Sequence, residues 1–336
     1  MGLTVGLFAL AACNGATAKS VQASGSNPST TVAASTSTTS TSHRTFAVGR
    51  RSVTLVDTSR PTAADSVQNV PAKPSRTLPV MLLYPALGTA SDDGTPVDNL
   101  QPAHGRYPIV LFSHGFVANG PIYTNLLQKW ARAGFIVAAP TFPLSSHAKS
   151  FADVVALGDY RNQPADVSFV LTSILHGLGG TDFITRHVDP HRVAAAGHSL
   201  GAITTLGLVY NSCCIDHRIK AAIPLSGIEL PFPNGSFTNP PATPLLLVHG
   251  AADTTVPIGP GSDSIFKAAK PPVYYLRFTA AGHIQVAFFP PYVNYTTEAV
   301  IAFLDAELHR GGPAQLRQMP NVIAQSGLGV WQQKPR

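Results

Sequence analysis

Three side chains in this sequence have the types needed to make and break an acyl bond: the hydroxyl of Ser199, the carboxylate of Asp253 and the imidazole of His283. A serine hydroxyl is a weak nucleophile near neutral pH, so it needs a base to take its proton and an acid to orient that base. Ser199 sits in Gly197-His198-Ser199-Leu200-Gly201, the Gly-x-Ser-x-Gly pattern of a sharp turn from strand to helix. An apolar run from Arg192 to Ala196 leads into it, and a helix-like run from Ile203 to Tyr210 follows. Taken alone the pattern also occurs in ordinary turns; the strand and helix signals on either side single this one out. Side chains at Gly197 and Gly201 would strike the neighbouring strand and helix, so small flanks are a steric requirement.

The acid and the base follow downstream. Leu245 to Val248 is an apolar strand that breaks into His249-Gly250-Ala251-Ala252-Asp253, and Tyr274 to Phe278 is another that breaks into Thr279-Ala280-Ala281-Gly282-His283. Serine, aspartate and histidine in that order, each just after a buried strand, match the α/β-hydrolase topology. His114, His198 and His249 are rivals for the base, but their positions fit pocket lining better. Acyl transfer also needs fixed donors for the oxyanion of the tetrahedral intermediate. In this topology one N–H belongs to the residue after the nucleophile, Leu200, and the other to the loop after the third strand, Phe116 of His114-Gly115-Phe116.

The elements that must hold these groups alternate along the chain. Strands are predicted at Phe46 to Val56, Leu78 to Tyr84, Tyr107 to Phe112, Phe135 to Ala139, Arg192 to Ala196, Ile219 to Leu225, Pro244 to Val248 and Val273 to Phe278. Helices are predicted at Tyr123 to Ala133, Pro164 to Leu175, the stretch after the elbow, Asp263 to Ala269 and Thr297 to His309. Continuous apolar strands separated by helices imply crossovers: a mostly parallel eight-stranded sheet with helices on both faces and the site at the strands' carboxyl ends. Pro143 to Asn162 and Glu229 to Pro241 read as pocket walls with a small or absent lid.

Composition narrows the function. The 336 residues are 44% hydrophobic and carry a formal charge of +6, with Lys and Arg scattered singly, which excludes a nucleic-acid footprint. Of three cysteines, Cys213 and Cys214 are adjacent; two buried thiols are expected there in preference to a strained vicinal disulfide. Zinc needs separated Cys or His pairs, so no metal and no cofactor are expected. Met1 to Ala12 is an apolar run too short to span a bilayer, and Leu10-Ala11-Ala12-Cys13 resembles the lipobox of bacterial lipoproteins, in which the Cys takes a lipid. No Lys or Arg precedes the run. Residues 14–44 are rich in Ser, Thr and Ala and read as a disordered tether, 45–310 as the catalytic domain and 311–336 as a loose tail.

Leu78-Pro79-Val80 through Tyr84-Pro85-Ala86, Tyr107 to Gly115, Pro164-Ala165-Asp166-Val167 and Gly197 to Gly201 together resemble the bacterial α/β-hydrolases grouped with platelet-activating-factor acetylhydrolase and with predicted dienelactone hydrolases. The resemblance spans about 45–310. It implies a calcium-independent serine esterase with Ser199, Asp253 and His283 as the triad. True dienelactone hydrolases use a cysteine nucleophile where this chain has Ser199, and Ala202 stands where many relatives have another glycine. Chlorophyllases and cutinase-like polyester hydrolases share much of the pattern. The expected function is therefore a serine carboxylic-ester hydrolase, extracytoplasmic and lipid-anchored or secreted, acting on short to medium acyl esters. The alternatives are a phospholipid esterase, a polyester hydrolase and, from another class, a catalytically silent binding lipoprotein with the same fold.

Overall fold

The computed structural model describes residues 45–237, 243–308 and 312–335. The lipobox ending at Cys13 and the Ser/Thr-rich stretch after it lie outside the described residues. Strands β1 (Ala47–Asp57) and β2 (Arg76–Ala86) pair antiparallel along their whole length, and the two-residue β3 (Val97–Asp98) runs parallel to β1. There follow β4 (Tyr107–Ser113), α1 (Thr124–Arg132), β5 (Ile136–Pro140), α2 (Val154–Gly158), α3 (Gln163–His176), α4 (Asp182–Thr185), β6 (Val188–His198) and α5 (Leu200–Tyr210). The chain continues through β7 (Ile219–Leu225), β8 (Leu245–Gly250), α6 (Ser264–Ala268), β9 (Val273–Phe278), α7 (Gln285–Phe288), α8 (Tyr292–Glu307), α9 (Ala314–Ser326) and β10 (Gly329–Lys334).

These strands form one sheet in the order β10-β9-β8-β7-β6-β4-β5-β2-β1-β3, parallel from β5 across to β9. From β4 the chain goes outward to β5, then crosses back to place β6 on the other side of β4. A crevice opens at the carboxyl ends where the direction of winding reverses, and the loops after β4 and β6 meet there. Every residue of β4 is buried, and its side chains alternate between two cores. Val110 and Phe112 join α1, α8 and α9 on one face, while Ile109 and Leu111 join α3 and α5 on the other. Local chemistry ends the helices where it should. Gly134 stops α1 at φ 99°, and Gly177 caps α3 at φ 68°. Among the described residues no helix is long and apolar enough to cross a membrane.

Among the described residues the sheet has ten strands where the sequence pattern predicts eight. One addition is the short edge strand β3; the other is β10, in the segment read as a loose tail. That segment is ordered because Leu316, Met319 and Ile323 fall on one face of α9 and bury in the core, which delivers β10 to pair antiparallel with β9. The two cysteines also differ from expectation: Cys213 and Cys214 are half-buried and joined to each other. Their loop is held by Asn211, whose side-chain oxygen accepts from the Cys213 N–H at 3.1 Å and whose carbonyl accepts from the Cys214 N–H at 3.1 Å.

The insertion after β5 is fixed by a buried cation. Arg76, fully buried at the start of β2, donates to Asp159 at 3.0 and 2.9 Å and to Asp166 at 2.7 and 2.6 Å. Burial disfavours the Arg76 charge, but these hydrogen bonds outweigh it and leave the guanidinium more firmly protonated than usual. Arg60 adds a second cation on Asp166 at 2.7 Å, and Gln68 donates to the Leu144 carbonyl at 3.2 Å and to Asp153 at 2.8 Å. The excursion between β1 and β2 thus grips the pocket wall. Removing one member of a buried ion group leaves uncompensated charge, so Arg76→Ala should lower the unfolding free energy by about 3–5 kcal/mol. Arg76→Met combined with Asp159→Asn and Asp166→Asn should recover most of that loss, both measured by urea denaturation.

Candidate active site

The site is assembled on the loops that follow β4, β6, β8 and β9. β6 ends at His198, and the next residue, Ser199, sits at φ 57° and ψ −118° before α5 begins at Leu200. L-residues rarely adopt this backbone conformation, and it persists here because its surroundings leave no alternative. A Cβ at Gly197 would collide with the Gly201 carbonyl, and one at Gly201 would collide with the carbonyls of Ser113 and His114. The Ser199 N–H donates to the Leu225 carbonyl at 2.9 Å, so β7 holds the turn from the far side.

Ser199, Asp253 and His283 converge. His283 Nε2 lies 2.8 Å from Ser199 Oγ, and His283 Nδ1 lies 2.7 Å from Asp253 Oδ2. Because the carboxylate can only accept, Nδ1 carries the proton and bare Nε2 faces the hydroxyl. That is the tautomer a general base requires. Asp253 is buried, which works against its charge. Hydrogen bonds from His249 and His283 and from the Val256 N–H outweigh that and hold the carboxyl well below the ordinary range. Its other oxygen accepts from the N–H groups of Thr255 at 2.9 Å and Val256 at 2.8 Å.

Phe116, on the loop after β4, and Leu200, the first residue of α5, flank Ser199. A Cβ at Gly115 would stand 3.4 Å from Ser199 Cβ, so the loop carrying Phe116 passes directly beside the hydroxyl. Leu200 opens α5, where aligned peptide dipoles favour negative charge. The loop after β4 is pinned through one peptide unit. His114 Nε2 accepts from the Phe142 N–H at 3.0 Å, so His114 Nδ1 carries the proton and donates to the Gly115 carbonyl at 2.7 Å. That carbonyl shares a planar peptide with the Phe116 N–H, and the two point in opposite directions, so fixing one aims the other.

The three rival histidines do not line a pocket. His114, His198 and His249 are at most 2% exposed and brace the machinery from behind. His249 Nε2 lies 3.1 Å from Asp253 Oδ2 and 3.0 Å from the Val256 carbonyl, while its Nδ1 meets Ser262 Oγ at 2.8 Å. The spacing from His249, near the end of β8, to Asp253 in the loop after it was the available signal for this contact. His198 Nδ1 lies 2.9 Å from the Tyr123 hydroxyl and its Nε2 lies 2.9 Å from the His283 carbonyl. Tyr123 has no sequence motif that marks it. Among the aromatic residues, Phe116 and Phe232 join Leu144, Tyr160, Leu200 and Ile203 in an apolar cluster beside the elbow. Phe151 stacks on Phe116 with ring centres 5.1 Å apart, and Tyr160 donates to the Pro231 carbonyl, tying one wall to the other. Phe142 instead packs on His114, and Phe288 on Tyr123 and His198.

The chlorophyllase family model matches residues 95–229, a span that includes the loop after β4 and the elbow but ends before Asp253 and His283. Among solved structures, a ferulic acid esterase from Streptomyces cinnamoneus superposes with a TM-score of 0.60 over 80% of this chain and 92% of its own, at 23% identity. This chain is an α/β-hydrolase by fold. No curated protein matches it significantly in sequence. The α/β-hydrolase core here carries the short β3 and the terminal β10 as additions at its two edges.

Two of the bracing histidines make stability depend on pH. Burial pulls His114 down to about 4; burial, with the His283 ring beside it, pulls His198 down to about 3. An unfolded chain would protonate both near the ordinary value of about 6.5. Between those limits the unfolded state binds more protons, so the stability present above about 6.5 is lost as the pH falls. Urea unfolding between pH 7 and 4 should show a decline that begins near pH 6.5, approaching about 1.4 kcal/mol per unit for each histidine. A flat profile through pH 5 would contradict the buried, neutral state of these rings.

Proposed function

We propose that this protein is a serine carboxylic-ester hydrolase that works through an acyl-serine intermediate. The observation that carries the reading is the continuous bonded line from Asp253 through His283 to Ser199 Oγ, with the nucleophile on a strained elbow. Ser199 Oγ attacks the ester carbonyl while His283 Nε2 takes its proton, and Asp253 stabilises the imidazolium that results. The carbonyl oxygen becomes an oxyanion received by the N–H groups of Phe116 and Leu200, each such donor being worth about 2.7–4 kcal/mol. His283 then returns the proton to the departing alkoxide. A water repeats the sequence on the acyl-serine, giving the acid and restoring the hydroxyl.

Short to medium acyl esters are the proposed substrates. The wall between β5 and α3 contributes only the five-residue α2 and the 3₁₀ turn Asp159–Arg161, too little to form a broad apolar lid. The cluster of Phe116, Leu200, Ile203 and Phe232 supplies an apolar wall of modest size for the acyl group. The names of the matching family and of the similar structure, a chlorophyllase and a ferulic acid esterase, agree with ester cleavage. Ring pairs at Phe116–Phe151 and Tyr160–Phe232 favour adding an aromatic acyl ester to any substrate panel.

Fluorophosphonate labelling should be abolished by Ser199→Ala with the fold retained, whereas a silent binding protein would not label at all. Asp253→Asn and His283→Ala should each lower kcat on the order of 10⁴-fold, with no additive loss in the double variant. Across p-nitrophenyl esters, kcat/KM should peak between acetyl and octanoyl. A steady rise to palmitoyl with activation at an oil surface would replace this substrate reading with a lipase.

We also propose lipid attachment at Cys13, supported by Leu10-Ala11-Ala12-Cys13 and the Ser/Thr-rich stretch that follows. Expressed in a bacterial host, the mature protein should partition into detergent, and mass spectrometry should find its first residue to be a lipid-modified cysteine. An unmodified Cys13 in the mature chain would end the proposal.

A further inference from the structure

His198 occupies the variable position of the elbow, immediately before the nucleophile, and its ring is committed on both sides. The donors and acceptors around it admit a single order. The His283 carbonyl can only accept, so His198 Nε2 carries the proton and donates to it at 2.9 Å. His198 Nδ1 is then bare and accepts the Tyr123 hydroxyl proton at 2.9 Å. The Tyr123 oxygen in turn accepts from the Gly115 N–H at 3.1 Å. The result is one directed line from Gly115 through Tyr123 and His198 to the His283 carbonyl. It joins the residue before the Phe116 N–H to the backbone of the base, passing through the residue next to Ser199. All of its interior members are buried, Tyr123 and His198 at 2% exposure each, so water does not substitute for a lost partner. Ser226 Oγ adds only a longer contact of 3.4 Å to the same His283 carbonyl.

We infer that Tyr123 and His198 are positioning residues that lock the oxyanion loop and the base loop to the nucleophile's own strand. Their role is to set the relative placement of the Phe116 N–H, Ser199 Oγ and His283 Nε2. Neither residue touches the substrate in this role, and neither exchanges a proton during the reaction. Catalytic geometry is sensitive at this scale, since a misplacement of about 1 Å costs on the order of 100-fold in rate. The expected signature is therefore a loss in kcat with KM preserved, because the apolar wall that binds the acyl group lies elsewhere. This inference rests on the ester-hydrolase reading.

The test uses the full chain, p-nitrophenyl butyrate and four variants checked by thermal melting. Tyr123→Phe removes one oxygen from a buried ring and keeps its packing. His198→Phe removes both ring nitrogens, and His198→Gln keeps an N–H at the reach of Nε2. Tyr123→Phe and His198→Phe should each lower kcat on the order of 10- to 100-fold with KM within about twofold. His198→Gln should retain several-fold more kcat than His198→Phe, because it still donates to the His283 carbonyl. The Tyr123→Phe/His198→Phe pair should lose no more than the worse single variant, since both cut one line. The inference is overturned if folded Tyr123→Phe keeps wild-type kcat, if the losses fall in KM, or if the double variant shows additive losses. Should His198→Phe fail to fold, Tyr123→Phe and His198→Gln carry the same comparison. A wild-type protein that neither labels with fluorophosphonate nor turns over esters would instead overturn the ester-hydrolase reading itself, a result distinct from active wild type with indifferent variants.

Discussion

The backbone at Ser199 is held at φ 57°, and much of the molecule is arranged to keep it there. Such a conformation costs roughly 1–3 kcal/mol for a residue with a side chain, so something must offset it locally. Two close approaches do so. Gly197 and Gly201 let β6, α5 and the end of β4 come nearer than any side chain would permit, and the Leu225 carbonyl takes the Ser199 N–H. α5 is buried along its entire length, so it cannot swing away to relieve the turn. The strain is therefore distributed over the centre of the sheet, where β4, β6 and β7 lie side by side. The same crowding brings the loop after β4 against the hydroxyl, so one steric constraint sets both the turn at Ser199 and the approach of the Phe116 loop.

A second scaffold stands apart from the elbow and shapes the wall of the pocket. Arg76, Asp159 and Asp166 form a buried ionic group, with Arg60 at its rim. Buried ions are poor sources of net stability, because desolvation consumes much of the Coulomb gain. Their value is geometric: bidentate guanidinium contacts accept few arrangements. Asp159 lies in the insertion and Asp166 on α3, so one cation at the start of β2 fixes both at once. On the pocket side, Gln163 extends the arrangement by donating to Ser145 Oγ at 3.0 Å and accepting from Thr204 Oγ1 at 2.5 Å, which links the wall to α5.

What the sequence revealed and what it concealed divide along physical lines. The central strands were legible because burial on both faces demands unbroken apolar runs, as at Tyr107 to Phe112 and Leu245 to Val248. The elbow was legible because its steric requirement is met within five residues. Arg76 was not: in one dimension it is one of three cations, with Arg60 and Lys73, in a Pro-rich link, and its partners lie 83 and 90 positions away. α9 and β10 were missed because a polar segment with three apolar residues on one face differs little from a tail until a core is there to receive it. The bond between Cys213 and Cys214 ran against the expectation of thiols for a similar reason, since nothing in the pair itself reports the Asn211 contacts that bend the loop around it. The bracing roles of His114, His198 and His249 depend on partners brought from four different loops, which spacing along the chain does not encode.

The charge state of those braces bears on the chemistry directly. In the proposed acyl transfer His283 becomes an imidazolium, and His198 stands beside it with ring centres 4.9 Å apart. Two unit charges at that separation, at an effective dielectric of about 20, repel by roughly 3 kcal/mol, which would slow the reaction on the order of 100-fold. Burial removes that cost by keeping His198 neutral, and the Tyr123 hydroxyl on one side and the His283 carbonyl on the other let the neutral ring satisfy both of its nitrogens. Asp253, held ionised by four hydrogen-bonding groups, is then the charged side chain bonded to the base. A histidine is thus compatible with the position before the nucleophile only because its surroundings deny it a second proton. Burial is what denies it, and the hydrogen bonds that satisfy the neutral ring also tie the loop after β4 and the His283 loop to the strand that carries Ser199.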